Sequence, residues 1–148
     1  MDITIYTDGA CVGNPGPGGW AALILFDDTK KELFGGEKLT TNNRMELTAA
    51  IKALEYCEKE EGKQPSLKQI KIYTDSKYVM EGITDWINVW EKNNWKTKDK
   101  KNVKNIDLWK KLKELSTSNK IEWQWIKGHS NNPMNDLVDS LAKKATPI

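Results

Sequence analysis

Ile3-Thr4-Ile5-Tyr6-Thr7-Asp8 has a near copy further along the chain, Ile70-Lys71-Ile72-Tyr73-Thr74-Asp75. In each, residues two apart share a face, so the isoleucines point one way and Tyr and Asp the other. Each therefore reads as a buried strand that ends on a carboxylate. Two such strands side by side in a parallel sheet would carry Asp8 and Asp75 to one edge, where open α/β sheets place their sites. Like charges there repel unless a cation lies between them.

Other elements follow outward from this pair. Gly9 to Gly19 holds five Gly and two Pro in eleven residues and reads as a turn, with backbone open to close approach. Trp20–Phe26 and Lys31–Phe34 read as strands joined by a turn at Asp27-Asp28, so the first three strands form an antiparallel meander. Leu47, Ala50, Ile51, Leu54 and Cys57 recur at helical spacing before Gly62, and a polar loop over Lys63–Lys68 leads into the second repeat. Ser76–Met80 begins a helix that is interrupted near Gly82 and resumes over Ile83–Trp90. Amphipathic helices are expected over Val103–Leu115 and from Leu137 to Ala145, and a last strand over Ile121–Ile126. The order β-β-β-α-β-α-α-α-β-α predicts one α/β domain over residues 1–148, a mixed sheet with helices on its faces.

At 148 residues the chain can bury one substantial core, and 38% apolar content with 30% charge is ordinary for a soluble globule. No run approaches a membrane span, no signal-peptide pattern opens the chain, and Cys11 and Cys57 lack ligand spacing. A reduced, cytoplasmic monomer is the expectation. Net charge is only +2, but Lys92–Lys104 carries six lysines against Asp99 alone. A basic lobe on an otherwise net acidic body suits a polyanionic partner.

Two more acids draw attention. Glu46, in the first turn of the first long helix, could merely complete a capping box with Asn43. Asp139, beside the apolar stripe of the last helix, could be a solvated acid, and Asp75 an N-cap. Taken together, Asp8, Glu46, Asp75 and Asp139 converge on the same sheet edge. Four carboxylates without a compensating arginine require cations, and all-oxygen ligation selects hard ones, Mg²⁺ or Mn²⁺. Two such ions in one carboxylate site would serve in-line phosphodiester hydrolysis.

With Tyr6-Thr7-Asp8-Gly9, Asn14-Pro15-Gly16-Pro17-Gly18-Gly19, Thr41-Asn42-Asn43-Arg44-Met45-Glu46-Leu47, Thr74-Asp75-Ser76, Trp95-Lys96-Thr97, Val103-Lys104-Asn105, Trp125-Ile126-Lys127-Gly128-His129 and Asp139-Ser140-Leu141-Ala142 in order, the chain resembles bacterial ribonucleases H of type 1. The resemblance implies a five-stranded mixed sheet, three antiparallel strands plus two parallel ones, flanked by helices. It implies that Asp8, Glu46, Asp75 and Asp139 bind two Mg²⁺ and that His129, in a mobile loop, assists turnover. The implied reaction cleaves the RNA strand of RNA–DNA hybrids, leaving 5′-phosphate and 3′-hydroxyl ends, with a role in removing RNA primers and R-loops. Substrate contacts are expected from Asn14, Asn42 and Asn43 in the minor groove, from Thr41 and Asn105 on a DNA-strand phosphate, and from Lys77. Trp86, Trp90, Lys96 and Lys98 would grip the backbone from the basic lobe. The chain differs from the frequent family pattern at Lys77, Leu39 and Asn132.

Two other readings stay open from the residues alone. One is a DNA nuclease or strand-transfer enzyme on the same architecture, since fold does not fix substrate. The other is a nucleic-acid-binding module with vestigial acids.

Overall fold

The computed structural model describes residues 2–26, 28–61, 69–117, 120–128 and 131–147. Strands β1 (Asp2–Cys11), β2 (Gly16–Phe26) and β3 (Thr29–Thr40) form the meander, followed by helix α1 (Asn42–Glu61) and strand β4 (Gln69–Thr74). After α2 (Lys77–Glu81) come a π-helical turn at Gly82–Trp86, α3 (Ile87–Lys92), α4 (Ile106–Thr117), β5 (Lys120–Trp125) and α5 (Pro133–Ala145). The sheet order is β3-β2-β1-β4-β5, with β1–β4 and β4–β5 parallel. The five-stranded mixed sheet expected from the sequence is therefore present.

The repeated strands pair in register, Ile3 beside Ile70, Ile5 beside Ile72 and Tyr6 beside Tyr73. Their isoleucines enter the larger core with Leu47, Ile51 and Leu54 of α1 and Trp109, Leu112 and Leu115 of α4. On the opposite face Tyr6, Ala21 and Leu23 pack against Val138 and Ala142 of α5. The strand alternation fails only at its end, where Thr7 and Asp8 are both buried.

Several boundaries differ from the sequence reading. The strands run into the glycine-rich stretch, Cys11 pairing with Gly18, so the turn shrinks to residues 12–15. Glycine keeps its backbone N–H and C=O for the ladder, and paired neighbours outweigh its weak strand preference. Strand β3 likewise extends well beyond Lys31–Phe34, because β2 offers a partner along its whole length. Ile83–Trp90 is not one helix. Its first part is the π turn, and a Cβ at Gly82 would lie 2.0 Å from the Trp109 ring. Trp109, fully buried, thus sits directly on Gly82. Amphipathic helix α4 begins at Ile106 rather than Val103, and α5 begins four residues before Leu137. The expected turn at Asp27, the Gly62 stop, the Lys63–Lys68 loop and His129 lie outside the described residues. Cys11 is half-buried and Cys57 buried, and neither is in a disulfide.

Candidate active site

Strand β1 delivers Asp8 to the carboxyl side of the sheet, and α1 crosses it with Glu46 inward. A Cβ at Gly9 would fall 2.5 Å from the Glu46 backbone nitrogen, so only glycine lets this helix approach so closely. The Gly9 N–H donates to Asp8 Oδ1 at 2.9 Å and to Glu46 Oε1, tying strand to helix. Glu46 is in the second turn, not the first, and forms no capping box with Asn43. The helix is capped instead by Thr41, whose Oγ1 accepts from the Arg44 N–H at 3.2 Å. Asp75 follows β4 but is not the N-cap of α2; Ser76 Oγ accepts from Val79 N. The Asp75 carbonyl is instead held by the Trp125 indole N–H at 3.0 Å.

Carboxylate oxygens of Asp8, Glu46 and Asp75 all lie within 4.8 Å of one another. Burial raises the pKa of all three, most for Asp8, where the charges of Glu46 and Asp75 add to it. Asp8, at 3% exposure, and Glu46 each keep one buried oxygen, Oδ2 and Oε2, without a hydrogen-bond partner. Orphaned anionic oxygens in a dry site are unstable unless a cation is bound, and an all-oxygen donor set suits a hard divalent one. The residues present thus fit a metal of the Mg²⁺ class.

Asp139, on α5, lies near enough for its charge to raise the pKa of Asp75, but it stands outside the group of three whose oxygens approach within 4.8 Å. One Asp139 oxygen is paired with Lys143 Nζ at 3.0 Å, one turn along the helix. The four acids were expected to lack a compensating arginine; the one arginine, Arg44, pairs with Asp107, and Lys143 supplies Asp139 with a partial cation at the margin.

Among the expected substrate contacts, Asn14 and Asn42 come together, Asn14 Oδ1 accepting from Asn42 N at 3.1 Å, with Asn43 exposed beside them. Thr41 and Asn105 are linked through Arg44, whose guanidinium donates to Asn105 Oδ1 at 3.2 Å. Lys77 is exposed, with its Nζ 5.2 Å from the centre of the Trp125 ring. Trp90 is half-buried, wedged between Trp109 and Trp95, while Trp86 is 36% exposed. Lys96 and Lys98 are exposed on the following segment. Beside them a cleft of about 390 Å³ is lined by Tyr78, Trp90, Thr97, Lys101 and Lys104.

The sequence pattern of the RNase H family matches residues 1–146. The chain belongs to the ribonuclease H family. The ribonuclease H of Dechloromonas aromatica (strain RCB) is 55% identical over 142 residues, spanning 96% of this chain and 91% of that protein. The ribonuclease H of Wolbachia sp. subsp. Drosophila simulans (strain wRi) is 52% identical over 147 residues, spanning 97% and 94%. Among solved structures, LC9-RNase H1 superposes with a TM-score of 0.85 at 28% identity, covering 98% of this chain and 72% of that one. LC11-RNase H1, solved in complex with an RNA/DNA hybrid, shares the fold at a TM-score of 0.75 and 23% identity, covering 97% and 96%. The protein is accordingly a ribonuclease H-type hydrolase.

Three residues of this ribonuclease H site escaped the sequence reading. Asn135, 3% exposed, stands where its amide favours the charged form of Asp75, and it keeps Oδ1 buried without a partner. Its position four residues before Asp139, on the same helical face, is a signal that was available. Lys143, four residues after Asp139, could have been found the same way. Trp125 carried no such signal, because its indole meets Asp75 only through the β4–β5 pairing. Asn132 caps α5 through Met134 N and Asn135 N.

Proposed function

We propose that this chain is an endoribonuclease that hydrolyses the RNA strand of RNA–DNA hybrids, leaving 5′-phosphate and 3′-hydroxyl ends. The observation that carries the reading is the convergence of buried Asp8 and Glu46 with half-buried Asp75, with two orphaned carboxylate oxygens, at the sheet edge of a ribonuclease H fold. Asp8, Glu46, Asp75 and Asp139 would hold two divalent ions, Mg²⁺ or in its place Mn²⁺. Such ions activate a water and stabilise the leaving oxygen of an in-line displacement.

The chain's own residues supply the rest. The Trp125 indole N–H holds Asp75 through its carbonyl, and Asn135 favours its charged form. The Gly9 N–H holds Asp8 and Glu46 at one spacing. His129, shortly ahead of α5 in the chain, handles a proton or helps the cleaved phosphate leave. Asn14, Asn42 and Asn43 face the minor groove, where 2′-hydroxyls separate RNA from DNA. Thr41 and Asn105 hold one phosphate of the DNA strand, and Lys77, Trp86, Trp90, Lys96 and Lys98 add backbone contacts. In the cell this would be a cytoplasmic monomer, residues 1–148 acting as one catalytic domain that removes RNA primers and R-loops.

End-labelled hybrid, single-stranded RNA, double-stranded RNA and double-stranded DNA, each incubated with Mg²⁺, Mn²⁺ or chelator, test this. Cleavage confined to the RNA of the hybrid, divalent-dependent and with 5′-phosphate products, is expected. Equal cutting of double-stranded DNA, or full activity in chelator, would refute it.

A further inference from the structure

We propose that Arg44 and Asp107 are positioning residues that fix the spacing of Thr41 and Asn105, and so set the grip on one DNA-strand phosphate. This rests on the hybrid-cleaving reading above. Arg44 touches both members of the pair. Its backbone N–H donates to Thr41 Oγ1 at 3.2 Å, and its Nη1 donates to Asn105 Oδ1 at 3.2 Å. Asp107, two residues beyond Asn105, receives Nη1 and Nη2 as a two-point fork at 3.1 and 2.8 Å. That fork raises the Arg44 pKa and lowers that of Asp107, so both groups stay charged.

Asn105 is locked on its other side as well. Its Nδ2 donates to Tyr78 Oη at 3.0 Å, and the same oxygen accepts from Trp109 Nε1 at 3.0 Å. Its backbone is left-handed, φ 59°, so the amide is presented from a turn immediately before α4 rather than from the helix. The donors that remain are few and directed. The Thr41 oxygen is engaged as an acceptor, which leaves its proton to give, and Asn105 Nδ2 keeps one of its two hydrogens. One O–H and one N–H, on segments that Arg44 bridges, would close on a single phosphate oxygen. Leu39, 75% exposed nearby in sequence, brings no charge. The Arg44 charge is matched by Asp107, so the pair contributes geometry rather than net attraction.

That distinction decides the experiment. Removing an acid near a phosphate tightens binding if only the field matters, and weakens it if the acid aims the donors. Hybrid dissociation constants are measured in chelator for wild type, Asp107→Asn and Arg44→Lys, using hybrids that each carry one methylphosphonate at successive DNA-strand positions. For wild type, one position should cost about tenfold in affinity, the scale of one hydrogen bond to a charged group. Asp107→Asn should weaken the intact hybrid about tenfold and make that one position silent, with the salt slope nearly unchanged because the donors lost are neutral. Arg44→Lys should do the same, since an ammonium cannot reproduce the fork. Melting temperatures should stay within about 3 °C, because an exposed ion pair adds little stability. Asp107→Asn that binds as tightly as wild type, or keeps its sensitivity at that position, overturns the proposal. A wild type with no sensitive position overturns it together with the phosphate contact, while hybrid cleavage by that wild type shows the parent reading intact.

Discussion

Replacing Asp8 by Asn should raise the melting temperature of the metal-free protein, and by more at pH 7 than at pH 5. Asp8, Glu46 and Asp75 present oxygens within 4.8 Å of one another in a buried site. Two full charges at that spacing repel by about 3–4 kcal/mol at an effective dielectric constant of about 20. The chain can escape this by binding a proton, so the penalty is capped by the cost of protonation. For an Asp with an ordinary pKa near 3.9 that cost is about 1.4 kcal/mol per pH unit, hence about 4 kcal/mol at pH 7 and about 1.5 at pH 5. The sign follows from linkage. Asp8 and Glu46 have pKa values raised above those of the unfolded chain, so the native state binds more protons. Stability of the metal-free protein is then greatest below the unfolded pKa and is lost as pH rises toward the folded one. Asn at position 8 removes one charge and most of that slope. The expected gain is up to about 8 °C at pH 7 and about 3 °C at pH 5, at roughly 2 °C per kcal/mol for a chain of this size. Melts followed by circular dichroism in excess chelator at both pH values, with parallel cleavage assays in Mg²⁺, measure it. Cleavage should be abolished. A variant less stable than wild type at pH 7, or one whose gain is larger at pH 5, would show that the cluster is not repulsive.

Three further outcomes are expected. Changing Lys96, Lys98, Lys100 and Lys101 to Ala should raise KM for hybrid with kcat little altered, and flatten log affinity against log salt by about 0.7–0.9 for each phosphate no longer neutralised; an unchanged slope would mean solvated lysines. His129→Ala should lower kcat about 10²-fold and remove an inflection near neutral pH with the melting temperature barely moved, whereas a kcat within about twofold of wild type would leave the imidazole without a task. Gly9→Ala should impair both fold and chemistry, since the added methyl meets the Glu46 and Met45 backbone at 2.5–2.6 Å. A destabilisation of about 1–3 kcal/mol, read by urea unfolding, together with a lost Mg²⁺ response, is the signature, and near-normal activity would count against the close helix–strand contact.

Much of this was legible in residue order. The repeated Ile-Tyr-Thr-Asp set two parallel strands and two of the acids, because alternation and β-branching are local properties of a strand. The stripes of α1, α4 and α5 showed in the same way. What the chain order left ambiguous was whatever depends on a distant partner. Glu46 three residues after Asn43 has the spacing of a capping box, and only the approach of α1 to Gly9 turns it toward Asp8. The glycine-rich stretch has the composition of a turn, yet pairing across β1, β2 and β3 makes most of it strand, since ladder hydrogen bonds need backbone and not side chains. Arg44 and Asp107 lie far apart in sequence, and nothing in either neighbourhood signals the fork they make. The acids were local facts. Their spacing, their burial and therefore their need for a cation were decided by the tertiary fold, where desolvation and long-range contact act together.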